Sequence, residues 1–435
     1  MNNLRPTQEH RRAYTIGIED AGRLVRLPAL LIELGLGPDK LIDQLARSSL
    51  VVRARSRGAA GARALADLGH SLGLPTGDDP SQPGAVFTGC VTIRELEQAI
   101  GALEASSTPA SLQLGVEMRA AIAAALEPIP FTSAIGDRQI HWGQRTLVMG
   151  IINVTPDSFS GDGAMSGGRA VERAIRTAVE QALAMEEDGA DILDVGAEST
   201  RPGALPVDED EELRRLIPVI VAIRESSRVP LSVDTYKSAV ARAALSEGAD
   251  MINDIHGMQR DAGMAATLAA SQAPVVLMHN RLDATVSTQS GLGNRYVGVR
   301  YPDLMLDVIE ALADLRDAAQ AQGIEQPRLF VDPGLGFGKT VEQSLRIIER
   351  AGTLRTLGQP LLLGPSRKSF VGYTLGLPPE QRTIGTVATL AYAVARCGAD
   401  IVRVHDVRAG LEAVTIADAA LGATQPSGIA SPEER

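Results

Sequence analysis

Residues that could do chemistry recur at one kind of position in this chain, just after a short apolar run. "LVMGIIN" (147–153) ends in Asn153 and opens into Thr155, Asp157 and Phe159. "ADILDVG" (190–196), which holds Asp194, leads into Glu198, Thr200, Arg201 and Pro202. Asp234 and Thr235 close a third run, Asn253 and Asp254 a fourth, and Met278, His279 and Asn280 a fifth. The sixth leads into "DPGLGFGK" with Asp332, Phe337 and Lys339, and the seventh into "GPSRKSF" with Ser366, Arg367, Lys368 and Ser369. The eighth carries Arg403, His405 and Asp406. The opposite ends of these runs show far less ionisable content, a bias that scattered solvated loops would not produce.

The set divides by chemistry. Asp234, Asn253, Asp332 and Lys368 combine a carboxylate that accepts from an amino-imine edge, an amide that does both, and an ammonium that donates to a carbonyl. That mixture suits a flat heterocycle such as a pterin or purine. Arg201, Arg403 and His405, with the amide of Asn153, form a cationic group. Arginine suits bidentate phosphate binding, and the outer residues of Arg-Val-His point the same way from a strand. A ligand with two phosphates fits, together with a divalent cation on oxygen ligands such as Asn153. Singly, each residue has a plainer reading. An Asp after a strand commonly caps a helix, the reading taken for Asp406 and weighed for Asp254. His141 and His256 read as structural, Met278 alone as core, and "GLGFG" alone as a turn. The argument rests on the eight loops together.

These loops need a scaffold that presents them at one end. Between the runs lie Ala- and Leu-rich amphipathic stretches, among them "GRAVERAIRTAVEQALAMEEDG", "YKSAVARAALSEG" and "YPDLMLDVIEALADLRDAAQAQG", all built of good helix formers. Three runs begin after Gly-Ala-Asp, where glycine caps the preceding helix. Runs that are apolar almost throughout suit parallel strands covered on both faces. Eight strand–helix units over roughly 270 residues predict an α/β fold, a (β/α)8 TIM barrel over 131–422, with an open doubly wound sheet as the alternative. Residues 133–146 read as a hairpin plugging the barrel bottom. Residues 1–130 read as a small accessory α/β domain of unknown role. It has a helix near 18–34, a strand at 49–56, a helix near 60–72, a loop at 74–84, a strand at 85–93 and a further helix. Residues 423–435 read as a flexible tail.

Composition narrows the partners. A formal charge of −11 over 435 residues argues against a general nucleic-acid or anionic-membrane surface. Two cysteines, Cys90 and Cys397, give no disulfide framework and fit a reducing cytoplasm. The opening residues lack the apolar stretch of a signal peptide, and no stretch reaches the ~18 apolar residues of a membrane span. The expectation is a cytoplasmic protein with small-molecule partners.

"GIINVTPDSFSGDG", "DVGAESTRPGA", "SVDTYKSAVARAALSEGADMINDI", "LMHN", "DPGLGFGKT", "GPSRKSF" and "RVHDV" closely resemble the successive loop motifs of dihydropteroate synthase, in that family's order, over about residues 133–422. Two details differ: Ser160-Gly161-Asp162-Gly163 stands where Ser-Asp-Gly-Gly is usual, and Gly196-Ala197 where Gly-Gly is usual. The resemblance implies condensation of 4-aminobenzoate with (7,8-dihydropterin-6-yl)methyl diphosphate, giving 7,8-dihydropteroate and diphosphate in folate synthesis. Mg2+ is the implied metal and Asn153 its ligand. Arg201, Arg403 and His405 would hold diphosphate. Asp234, Asn253, Asp332 and Lys368 would hold the pterin, sandwiched by Met278 and the Arg403 guanidinium. Thr200, Pro202, Phe337 and Ser369 would border the aminobenzoate, with Phe159 covering it from a mobile lid. Asp332, Lys368 and Arg403 are the implied catalytic groups of a dissociative substitution, and a homodimer is a possible assembly. The rival readings are a pterin-binding methyltransferase domain, which has no use for the cationic group, and a non-catalytic pterin-binding paralogue.

Overall fold

The structure, a computed structural model, describes residues 12–20, 50–73, 86–126, 128–154, 168–199, 206–281, 287–292 and 294–421. The chain first forms a three-stranded antiparallel sheet of β1 (Tyr14–Asp20), β2 (Leu50–Ser56) and β3 (Val86–Val91), in the order β1-β2-β3. Helices α1 (Ala59–Ser71), α2 (Ile93–Glu104) and α3 (Pro109–Leu126) accompany it. Its core packs Tyr14, Ile18, Val52, Leu65, Leu96 and Met118. Thr92 and Glu95 close a reciprocal capping box at the start of α2. β1 is a correction to the helix predicted from residue 18. Tyr14, Ile16 and Ile18 are large apolar residues at every second position of a stretch buried throughout 14–18, a period-two pattern of type that three residues of "YTIGIED" make short enough to miss. The rest of that predicted helix, the 74–84 loop and the 423–435 tail lie outside the described residues.

Next comes the hairpin of β4 (Thr132–Ile135) and β5 (Arg138–His141). The barrel strands follow. They are β6 (Leu147–Asn153), β7 (Ile192–Gly196), β8 (Leu231–Asp234), β9 (Met251–Asp254), β10 (Val275–Met278), β13 (Leu329–Asp332), β14 (Leu362–Leu363) and β15 (Ile401–Val404). A small hairpin, β11 (Ser287–Gln289) with β12 (Arg295–Val297), is inserted after the fifth barrel strand. All barrel pairings are parallel, in the order β13-β10-β9-β8-β7-β6-β15-β14. A parallel bridge between Val331 and Leu361 joins the two ends of that order and closes the barrel.

The surrounding helices are α4 (Gly168–Glu187), α5 (Glu209–Ser226), α6 (Ser238–Ser246), α7 (Met264–Ala270), α8 (Leu304–Ala321), α9 (Val341–Arg350), α10 (Ser369–Leu375), α11 (Thr383–Cys397) and α12 (Val407–Ala420). The strands' outward residues, such as Leu193, Val233 and Leu277, are packed by helix residues such as Leu216, Val240 and Leu312. The inward residues Met149, Ile192, Met251, Val276, Phe330 and Ile401 form a separate cluster with Ile135 and Trp142 of the hairpin region. Trp142 stands edge-on to Phe330 at 5.2 Å. The barrel floor is therefore plugged by the hairpin, and the open end is left for chemistry.

The Gly-Ala-Asp triplets set the strand register. Gly189, Gly248 and Gly398 all have positive φ, which ends each helix in the conformation glycine tolerates. The aspartate two residues on then accepts a neighbouring strand's backbone N–H. Asp191 takes Val148 N at 2.9 Å, Asp250 takes Leu231 N at 2.8 Å and Asp400 takes Leu361 N at 2.8 Å. These three carboxylates of the barrel floor are thus engaged in strand pairing.

The N-terminal sheet is docked on α8. Arg53, Arg55 and Arg57 alternate along and just beyond β2. Arg53 pairs with Asp303 at 2.7 Å, Arg55 with Asp307 at 2.6 Å and with Glu310, and Arg57 with Asp314 at 2.7 Å. The acidic partners recur every three or four residues, so they share one helix face.

Candidate active site

At the open end, four strands bring side chains from their carboxyl-terminal halves onto one network. Arg403, on β15, reaches past β6 to Asp194 on β7, with Nε 2.6 Å from Oδ2. Its Nη2 donates to Asp234 Oδ2 on β8 at 2.8 Å. Asn253, on β9, donates one amide N–H to the same Asp194 oxygen at 3.1 Å. Asp194 is fully buried, and its Oδ1 has no hydrogen-bond partner. Gly196 stands on the sequence's second loop because its position faces the Asp234 side chain; a Cβ there would lie 3.2 Å from Asp234 Cβ. Ala197, where a second glycine is usual, is accommodated fully buried in the core.

Across the mouth, Asp332 is 5 % exposed and its Oδ1 accepts the Gly334 N–H at 2.7 Å. Burial pushes its carboxyl up, opposed by the Lys368 and Lys339 ammoniums, the Gly334 N–H and Arg403. Burial lowers Lys368 to about 8, against the attraction of Asp332 and with the repulsion of Arg403. Burial and the neighbouring Asp194 charge push Asp234 up to about 7, while Arg403 pulls the other way. The Lys368 ammonium lies 4.9 Å from the centre of the Phe337 ring. Met278 is nearly buried beside the loop after β13: a Cβ on Gly334 would lie 3.2 Å from its Cγ.

Loop 7 is held by a group that sequence reasoning missed. Arg367, just before Lys368, has φ +54, a left-handed conformation uncommon outside glycine. Arg382, 1 % exposed, secures it. Its Nη1 donates to Arg367 O at 2.9 Å and Lys368 O at 3.3 Å, and Nη2 donates to Leu292 O at 2.9 Å and Leu377 O at 2.9 Å. Gly372 leaves the room this guanidinium occupies, since a Cβ there would strike it. Arg382 lies after the motif, on no strand end and between the polar residues Gln381 and Thr383, so the sequence gave no signal.

His405 places Nδ1 2.9 Å from Ser366 Oγ, which also accepts the His405 backbone N–H at 3.1 Å. Asn153, the exposed end of β6, pairs with Gly196 in the register. Its amide is a hard oxygen donor, and Mg2+ takes one or two protein oxygens alongside waters and phosphate oxygens, so the residues present fit that ion. Ser369 begins α10 directly after Lys368. Thr155, Asp157, Phe159, Thr200, Arg201 and Pro202 lie outside the described residues.

The plainer readings also find places. Asp406 caps α12 through the Ala409 N–H at 3.2 Å. Asp254 accepts His256 N at 2.8 Å and Met258 N at 2.7 Å. Cys397 is buried in the core. Lys237 bridges Glu198, at 2.5 Å, to the buried Glu212 and anchors the start of the second loop. Only Glu198 of this trio stood at a strand end in the sequence.

The chain matches the family described as pterin binding enzyme over residues 149–405. It is 42% identical over 284 residues to the dihydropteroate synthase of Clostridium beijerinckii, covering 97% of that protein and 65% of this chain. Among solved structures it is similar to the Xanthomonas albilineans dihydropteroate synthase with 4-aminobenzoic acid. The TM-score is 0.59 and the identity 40%, covering 98% of that chain and 67% of this one. The same organism's enzyme in complex with 7,8-dihydropteroate gives a TM-score of 0.57 and 37% identity, covering 99% of that chain and 67% of this one. These proteins are matched almost end to end, while a third of this chain falls outside the match. On sequence, fold and the residues gathered at its mouth, the chain belongs to the pterin binding enzymes and, among them, to the dihydropteroate synthases.

Proposed function

We propose that the mouth network joins (7,8-dihydropterin-6-yl)methyl diphosphate to 4-aminobenzoate, releasing diphosphate and leaving 7,8-dihydropteroate. The observation that carries this reading is the convergence of Asp194, Asp234, Asn253 and Arg403 opposite Asp332 and Lys368. The Asp332 carboxylate accepts from the pterin's amino and ring N–H groups, Lys368 donates to its carbonyl, and Asp234 and Asn253 complete the edge. Met278 and the Arg403 guanidinium cover the two ring faces. Arg201, His405 and Asn153, with Arg403, hold the diphosphate. Thr200, Pro202, Phe337 and Ser369 border the aminobenzoate, and Phe159 covers it.

The C–O bond to diphosphate breaks with both electrons leaving on oxygen, and the cationic group takes up that charge. The positive charge left on the carbon spreads into the dihydropterin and is stabilised by the Asp332 carboxylate, which interacts more strongly with this state than with the neutral ground state. The 4-aminobenzoate nitrogen then attacks and loses a proton. No protein nucleophile is needed. Mg2+ held at Asn153, when bound, neutralises charge on the diphosphate. The proposed setting is the cytoplasm and the proposed assembly a homodimer.

Arg403→Ala tests the reading. Calorimetry should show weakened binding of the pterin diphosphate, with 4-aminobenzoate recognition largely intact once pterin and diphosphate are present. Unchanged affinity for the diphosphate ester would remove Arg403 from the site.

A further inference from the structure

Lys339 is a buried lysine with no carboxylate within hydrogen-bond reach among the described residues. It is 2 % exposed. Its Nζ lies 2.9 Å from Phe337 O, 3.2 Å from His279 O and 2.8 Å from His279 Nδ1. An ammonium has three N–H bonds and no acceptor, so three acceptors satisfy it completely. Nδ1 then accepts, which puts the imidazole proton of a neutral His279 on Nε2. Burial and the Lys339 charge both keep that ring neutral.

The three contacts join two loops that carry different walls of the pocket. His279 follows Met278 at the end of β10; Phe337 lies in the turn after β13. The two loops are already in close contact. His279 N donates to Asp332 O at 2.9 Å. Gly334 and Gly338, both at positive φ, leave no room for a Cβ against the His279 and Arg281 carbonyls. Phe337 N–H closes its turn on Gly334 O at 3.0 Å, and its ring faces Lys368.

We propose that Lys339 is a positioning residue for this reaction: its ammonium locks the loops after β10 and β13 together and so fixes the Met278 and Phe337 walls relative to each other. This rests on the reading of Met278 as the pterin wall and Phe337 as the aminobenzoate wall. The charge adds a second effect. The groups facing Asp332 are Lys368 from loop 7, Arg403 from β15, Lys339 and the Gly334 N–H; all favour the carboxylate. Burial pushes Lys339 well below the usual lysine range, opposed by the Asp332 charge; wherever it carries its proton, removing it raises the Asp332 pKa and moves the acid limb of activity to higher pH.

The test is Lys339→Met in the full chain, which keeps length and removes charge and donors. A displaced Phe337 wall weakens contact with 4-aminobenzoate and spoils its productive geometry as well. The KM for 4-aminobenzoate should therefore rise roughly tenfold and kcat should fall, with the acid limb of kcat/KM for the pterin diphosphate moved upward. A folded variant with lowered melting temperature but wild-type KM and an unmoved limb would overturn the proposal. Should Lys339→Met be insoluble, His279→Ala, which deletes one contact and keeps the ammonium, decides: a raised KM supports the lock and a wild-type KM overturns it. Failure of the underlying functional reading would appear elsewhere, as absence of dihydropteroate from the wild-type reaction.

Discussion

Arg403 Nε lies 2.6 Å from Asp194 Oδ2, although a whole strand stands between β15 and β7. The contact spans the barrel mouth and aims the guanidinium away from its own strand. Asp194 is fully buried, and Arg403 and Asn253 both donate to its Oδ2. Removing one partner of a buried pair costs about 3–5 kcal/mol, and Arg403 keeps Asp234 as a second partner. Asp194→Ala should therefore lose about 3 kcal/mol of stability, near the low end of that range, and bind pterin diphosphate poorly. Denaturant unfolding and calorimetry check both; normal affinity would show that Arg403 holds its place without Asp194.

Lys368 sets the alkaline side of the pH profile. Its ammonium is present below about 8 and lost above it, so turnover should fall as pH rises through that value. Stability moves the other way. The folded pKa lies below the unfolded value of 10.5, so between the two the unfolded chain binds more protons and this group's contribution to stability rises with pH. Rate and melting profiles of wild type and Lys368→Arg test this. The arginine stays charged, and its alkaline limb should disappear from this range. An identical limb in both proteins would assign it to another group.

Arg382 and Gly372 should behave as one unit. Arg382→Lys gives up donors that serve the carbonyls of Arg367, Lys368, Leu292 and Leu377. Buried carbonyls left unpaired cost about 1–3 kcal/mol each. Gly372→Ala displaces the same guanidinium. Each should lower kcat/KM for the pterin diphosphate, and the double variant should do less than the sum of the two. Additive losses in a double-mutant cycle would separate them.

The arginine row of β2 predicts a stability role for the N-terminal region. Replacing Arg53, Arg55 and Arg57 together by Gln leaves Asp303, Asp307, Glu310 and Asp314 on one face of α8 without these partners. The melting temperature should drop and lose the decline with added salt that these ion pairs give the wild type, with KM for both substrates unchanged. A truncated chain should begin at Pro128, because Ile129 and Phe131 pack against the floor cluster. It should keep turnover if folded. A folded truncation without turnover would contradict an accessory role.

The barrel was legible because its strands are buried on both faces and its helices amphipathic, so all eight runs, the floor hairpin and the Gly-Ala-Asp caps read directly from pattern. Asp234, Asn253, Asp332, Lys368, Arg403 and His405 were legible because strand ends of such a barrel converge. What pattern could not supply was partnership. Asp194 and Lys339 stood among the strand-end residues with no partner assigned, and Arg382 was not singled out at all. Each acts through contacts far apart in sequence, to which local periodicity is blind. β1 was lost for a different reason: three alternating residues are too few to separate a strand from a helix start.

The most direct test follows diphosphate release at saturating substrates, with and without 4-aminobenzoate, in wild type and Asp332→Asn, alongside melting curves. The account predicts that wild-type release proceeds in step with 7,8-dihydropteroate formation. Removing a charged hydrogen-bond partner from a buried site costs about 1.5–3 kcal/mol, so Asp332→Asn should turn over at least roughly tenfold more slowly. Near-normal turnover in that variant with a lowered melting temperature would make Asp332 only the cap of its loop, and wild-type diphosphate release without dihydropteroate would contradict the reaction itself.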